Sequence, residues 1–114
     1  MEEANIKLLC EIYHFKKSVE MALSQITDPT QKKKLKMACD RIGRNIDKYC
    51  DGENISIQDL TGLDFYIGLP VNAMNLDEFD ENDKLFIEAM LEPVIKEKNS
   101  PDILHEGKVF LAKK

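Results

Sequence analysis

Five carboxylates fall within seven residues, at Asp77, Glu78, Asp80, Glu81 and Asp83. Carboxylates at that density can coordinate a cation, work as an acid–base pair, or dock against a basic surface. A calcium loop beginning at Asp77 would place Glu88 at its twelfth position. It would also put Phe79 at the third position and Asn82 where the sharp turn needs Gly. A loop beginning at Asp47 gains Gly52 but has Tyr49 at three and Gln58 at twelve. Neither pattern is an EF-hand. Paired-carboxylate hydrolysis on helices needs a second Glu-x-x-Asp repeat, and Glu78-x-x-Glu81 stands by itself. The run therefore reads as negative charge at the start of a helix, where it meets the positive end of the dipole. It also reads as a surface for a protein partner with a basic face.

The second charged cluster is Lys32, Lys33, Lys34 and Lys36, with Lys16, Lys17, Arg41 and Arg44 as potential extensions. Phosphate binding is the chemistry such a cluster offers, which makes a nucleic-acid-linked regulator the alternative function. No exposed aromatic residues interleave with it, and a net charge of -5 disfavours general attraction to nucleic acid or anionic membrane. A solvated face, with Lys36–Asp40 and Asp40–Arg44 pairing across a helical turn, is the favoured reading. Ile67-Gly68-Leu69-Pro70 resembles the glycine turn of a helix-turn-helix. The recognition helix would then open on Asp77, Glu78, Asp80 and Glu81, against the phosphates it must approach.

The remaining reactive residues form no known string. His14 and His105 lack cysteines at ligand spacing, and no P-loop, Gly-x-Ser-x-Gly or His-Glu-x-x-His occurs. Cys10, Cys39 and Cys50 make no Cys-x-x-Cys pair and are odd in number. Reduced thiols in a cytoplasm are the simplest expectation, since the acidic start Met1-Glu2-Glu3 is no secretory signal. No metal, cofactor or catalytic residue is assigned, and a carboxylate or metal enzyme ranks lowest.

These side chains need elements to position them. Leu8, Ile12, Phe15, Val19, Ala22 and Ile26 recur at helical spacing, and so do Leu35, Cys39, Ile42, Ile46 and Tyr49. Between them Asp28 supplies an N-cap, Pro29 a first helical residue, and Gln31 the third position. The pattern predicts a long antiparallel helical hairpin over residues 3–50. Ile6, Leu9 and Tyr13 make a second apolar face on the first helix. That face must be covered by a later element or by another copy of the chain.

Two accessory helices are expected over residues 56–98. Ser56 would cap the first, with Asp59 three residues on, and Asn75 the second, with Glu78 three on. The run Leu85, Phe86, Ile87, Ala89, Met90, Leu91 is apolar nearly all round, as in a core helix that Pro93 would kink or end. Residues 99–114 form a carboxy-terminal arm, read as a short helical turn followed by a strand or docked extended segment. The strand's expected partner is Ile55-Ser56-Ile57.

The expected fold is therefore all-α, one domain over residues 1–114. Its core would hold Leu8, Leu9, Ile12, Phe15, Val19, Leu35, Ile42, Ile46, Leu63, Ile67, Phe86, Ile87 and Met90. With 43% apolar and 32% charged residues, the chain can fill one core and stay in solution. No run approaches the ~20 apolar residues of a membrane span. Abundant Lys, Ile and Asn without Trp suit an AT-rich genome, as in a bacterium, phage or virus. The function expected is a small intracellular protein-binding module, an adaptor, inhibitor or regulatory subunit that occupies a partner surface. Homo-oligomerisation is one of three ways to cover the face of Ile6, Leu9 and Tyr13, the others being the last helix and the carboxy-terminal arm.

Overall fold

Asp28 starts a helix as the sequence predicts. Its carboxylate accepts hydrogen bonds from the backbone N–H of Thr30 at 2.9 Å and of Gln31 at 3.3 Å, with Pro29 at the first helical position. The computed structural model describes all 114 residues. Helix α1 spans Glu3–Leu23 and helix α2 spans Pro29–Glu53. The first ends three residues short of Ile26, and Asn54 closes the second in a left-handed conformation that Asn tolerates. Lys16 lies against Gly43, so the helices fold back on each other across the short link. Along their surfaces, ion pairs join Lys7 to Glu3 and Lys16 to Glu20. The expected pairs at Lys36–Asp40 and Asp40–Arg44 do not form.

Burial on α1 differs from the predicted seam. Leu8 and Phe15 are 59% and 62% exposed, whereas Leu9 and Cys10 are buried. The buried arc is displaced from the Leu8–Phe15 stripe by about 100°, one residue's rotation. Leu35 and Tyr49 are likewise exposed, leaving Cys39 and Cys50 as the buried residues of α2. All three cysteines are buried thiols, Cys10 included.

The rest of the chain overturns the all-α reading, and with it the helical bundle. Residues 55–114 contain six strands and one short 3-10 turn, so the fold is α+β. They form one compact unit, and residues 1–54 form another. The strands are β1 (Ile55–Gln58), β2 (Val71–Ala73), β3 (Leu85–Glu92), β4 (Val94–Glu97), β5 (Ile103–His105) and β6 (Gly107–Lys113). One sheet has the order β1-β4-β5, antiparallel throughout. In the other, β6 is central, parallel to β2 and antiparallel to β3.

Each lost helix has a physical reason. Ser56 caps nothing. It sits in β1 opposite Lys96, and its buried hydroxyl oxygen has no partner. Asp59 accepts from the backbone N–H and the hydroxyl of Thr61, an Asx turn that offers the backbone an alternative to helix. Gly62 and Gly68 adopt positive φ, a conformation outside the right-handed helix that glycine takes most readily. Six of the eight residues of strand β3 are Leu, Glu, Ala or Met, all strong helix formers, against the strand-favouring Phe86 and Ile87. Bulges between Ile87 and Ala89, and between Met90 and Glu92, break its two-residue alternation, so buried positions fall at Leu85, Ile87 and Met90. That spacing looks like neither clean pattern. Pro93 separates β3 from β4 instead of kinking a helix.

The carboxy-terminal strand is present but pairs with β2 and β3, while β1 pairs with β4. Asn99 turns the chain between β4 and β5 at positive φ, with no helical turn there. Gly107 opens β6 under close approach. A Cβ there would lie 2.7 Å from Met90 Cε and 3.0 Å from the Glu92 carbonyl oxygen. Around it Leu85, Ile87, Met90, Val94, Val109 and Leu111 form the core, with Phe65, Val71 and Phe79 packed at its margin. Of the predicted core, Ile87 and Met90 are buried here, whereas Leu63 and Ile67 are exposed.

Candidate functional site

The acidic run does not begin a helix. Asp77 and Glu78 lie in the 3-10 turn Leu76–Glu78, and Asp80, Glu81 and Asp83 follow in a loop leading into β3. Compensation of a helix dipole is thus no longer the reason for this charge. Local geometry gives the carboxylates different work. Asp83 accepts from the backbone N–H of Asp80 at 2.9 Å and pairs with Lys113 at 3.6 Å. It shapes the loop and ties it to β6. Asp80 and Glu81 are exposed and enter no ion pair.

The loop is anchored on its other side by Asn75. Its amide nitrogen donates to the Leu111 carbonyl at 3.0 Å, and its amide oxygen accepts from the Leu111 N–H at 2.9 Å. The side chain thereby continues the pairing of β2 with β6 by one step. Asn75 also donates to Glu78 at 3.2 Å, which holds the 3-10 turn against the sheet.

A third segment completes the site. Residues 62–65 run along the free edge of β3, where Gly62 N–H donates to Ile87, Ile87 N–H to Leu63, and Phe65 N–H to Leu85. Lys114 pairs with Asp64 at 2.6 Å and holds the same segment. The chain then turns outward, so that Tyr66 is 61% and Ile67 96% exposed. Large apolar side chains in such positions mark an interaction surface when they cluster.

They do cluster. Phe65, Tyr66, Ile67, Leu76, Phe79 and Leu85 line a concavity of about 520 Å³ whose remaining wall is Asp80, Glu81 and Asp83. No protein family, curated protein or solved structure matches the chain. The character of the site rests on its own chemistry: an apolar, partly aromatic floor beside carboxylates. That combination suits a cation carried on an aliphatic stem, attracted by the carboxylates and by aromatic faces.

Of the five acidic residues singled out from sequence, the structure brings Asp80, Glu81 and Asp83 to this concavity and leaves Asp77 and Glu78 in the turn beside it. The sequence pattern places the aromatic half in the first expected accessory helix, with Ile67 in the core. The signal that could have exposed it is the bracketing of Phe65-Tyr66-Ile67 by Gly62, Gly68 and Pro70, a spacing typical of a loop. Lys32, Lys33, Lys34 and Lys36 are exposed in the first turns of α2 and enter no ion pair. His105 is not isolated: its Nε2 lies 2.7 Å from Glu92, whose second oxygen is 3.4 Å from Lys108. The Tyr49 hydroxyl is held above its ordinary pKa by desolvation, with Glu53 and Cys50 adding repulsion to the ionised form.

Proposed function

We propose that the chain is a protein-binding module that acts by occupying a partner surface, with the acidic–aromatic concavity of residues 55–114 as the contact. The partner segment presents an aliphatic or aromatic side chain flanked by Lys or Arg. The apolar side chain fills the floor formed by Phe65, Phe79 and Leu85, and the cations meet Asp80 and Glu81. No bond is made or broken; the partner is blocked, recruited or held.

The observation that carries this reading is the juxtaposition of Tyr66 and Ile67, both exposed, with two carboxylates that have no cation of their own. Interfaces concentrate binding energy in a few aromatic anchors surrounded by polar residues. The charge of the unit supports it: residues 55–114 hold twelve Asp and Glu against six Lys. Such an imbalance speeds encounter with a basic partner and weakens as salt rises.

Selection from a random peptide library on the immobilised chain tests the reading. Peptides enriched in an apolar residue next to Lys or Arg are expected, and Asp80→Lys/Glu81→Lys should lower their capture at least tenfold. Tyr66→Ala should weaken binding without altering its salt dependence, because it removes an apolar anchor and no charge. Enrichment of acidic or uncharged peptides, or full binding by the charge-reversed variant, would overturn the proposal.

A further inference from the structure

We infer that the apolar groove between α1 and α2 is the interface of a homodimer, in which two helix pairs pack face to face. Leu8, Ile12 and Phe15 of α1 and Ile42, Ile46 and Tyr49 of α2 line a groove of about 450 Å³. An amphipathic helix pair usually turns such a stripe inward. Here the stripe is the exposed face, and two of its largest members, Leu8 and Phe15, are more than half exposed.

The dimensions suit a second copy. A helix of 21 residues is about 30 Å long, and two helices side by side present a face about 20 Å wide. Covering that face buries about 600 Å² per copy, or about 1,200 Å² in all, the lower edge of specific interfaces. Association should therefore be reversible and concentration-dependent.

Charge selects the same occupant. Lys16 beside Gly43 marks the sides of the two helices that face each other. At about 100° per residue, Glu11 then falls on the outer edge of α1, and Arg41 and Lys48 on the outer edge of α2. The groove pairs the level of Leu8 and Ile12 with that of Ile46 and Tyr49, so Glu11 and Lys48 stand at similar heights on opposite outer edges. Neither enters an ion pair within its own chain. A twofold axis running along the helices lays α1 of one copy antiparallel over α2 of the other. That operation brings Glu11 to Lys48 of the partner copy, and it does so twice, as an isologous interface requires. The groove is complementary to itself.

Sedimentation velocity on the full chain, over a concentration series up to about 100 µM to span the weak association of so small an interface, tests this directly. The mass should rise from 13.1 kDa toward twice that value. Phe15→Glu should hold the chain monomeric while its helical circular dichroism is retained, since Phe15 is exposed in the single chain. Glu11→Lys should weaken the dimer, and Glu11→Lys/Lys48→Glu should restore it. Zero-length carbodiimide coupling of mixed isotopically labelled and unlabelled protein should give a Glu11–Lys48 cross-link that carries both labels. A chain that stays monomeric throughout, leaving the groove to an unrelated partner, overturns the proposal. So does a dimer that Phe15→Glu leaves intact, or a cross-link confined to one label.

Discussion

Residues 1–54 and residues 55–114 solve the problem of burying apolar surface in opposite ways. The helical unit has ten Lys and Arg against nine Asp and Glu, and its regular hydrogen bonds close within four residues. Its apolar stripe is left largely open. The sheet unit is strongly acidic, and its strands pair with residues far away in sequence, such as Ile87 with Leu111 and Leu85 with Lys113. Ile87, Val94 and Val109 are wholly buried at its centre. One unit gets its shape from local bonding and exposes an apolar face. The other gets its shape from a shared core and exposes carboxylates next to aromatic rings. Apolar content alone therefore says little about where a surface is sticky, because the same residue types are spent differently in the two halves.

The contrast can be broken most severely at the core. Ile87→Ala should cost about 2–5 kcal/mol, the range for truncating a buried aliphatic side chain, measured by urea denaturation with a β-sheet probe. Phe15→Ala in dilute solution should change stability by no more than about 0.5 kcal/mol, as surface changes do. Equal losses for the two would mean that the helical stripe is packed in the single chain and that the contrast is false.

A smaller effect is expected at Gly107. Ala there must displace Met90 Cε, which can move, and press on the Glu92 carbonyl, which moves with its strand. A loss of about 1–3 kcal/mol is expected, as for overpacking elsewhere. Gly107→Ala/Met90→Ala should recover only the part due to Met90. A neutral Gly107→Ala would show that β6 and β3 tolerate a wider spacing.

The smallest effect belongs to the helical unit. Asp28→Ala removes the acceptor for Thr30 and Gln31 N–H and should cost about 1 kcal/mol. The loss should appear as fraying of α2 in amide hydrogen exchange, with the protection of β3 and β6 unchanged. Loss of protection in those strands would show that the two units unfold together.

The sequence by itself determined the helices and their joint. Asp28-Pro29 fixed the start of α2 to the residue, because a cap is a contact between near neighbours and needs no tertiary partner. It also marked Asp77 to Asp83 as the densest charge and favoured an extended tail at residues 108–112. It could not decide whether residues 85–92 would be helix or strand. Their composition favours helix, their apolar character suits either, and the bulges erase the alternation that would have distinguished them. Only the arrival of β6, which begins fifteen residues beyond Glu92, makes that segment a strand, because strand hydrogen bonds require a partner that local sequence does not name. The same long-range pairing lays residues 62–65 along β3 and sets Tyr66 and Ile67 beside Asp80 and Glu81. Which side of α1 is buried was likewise a tertiary decision: two apolar stripes lay on one helix, and periodicity cannot rank them.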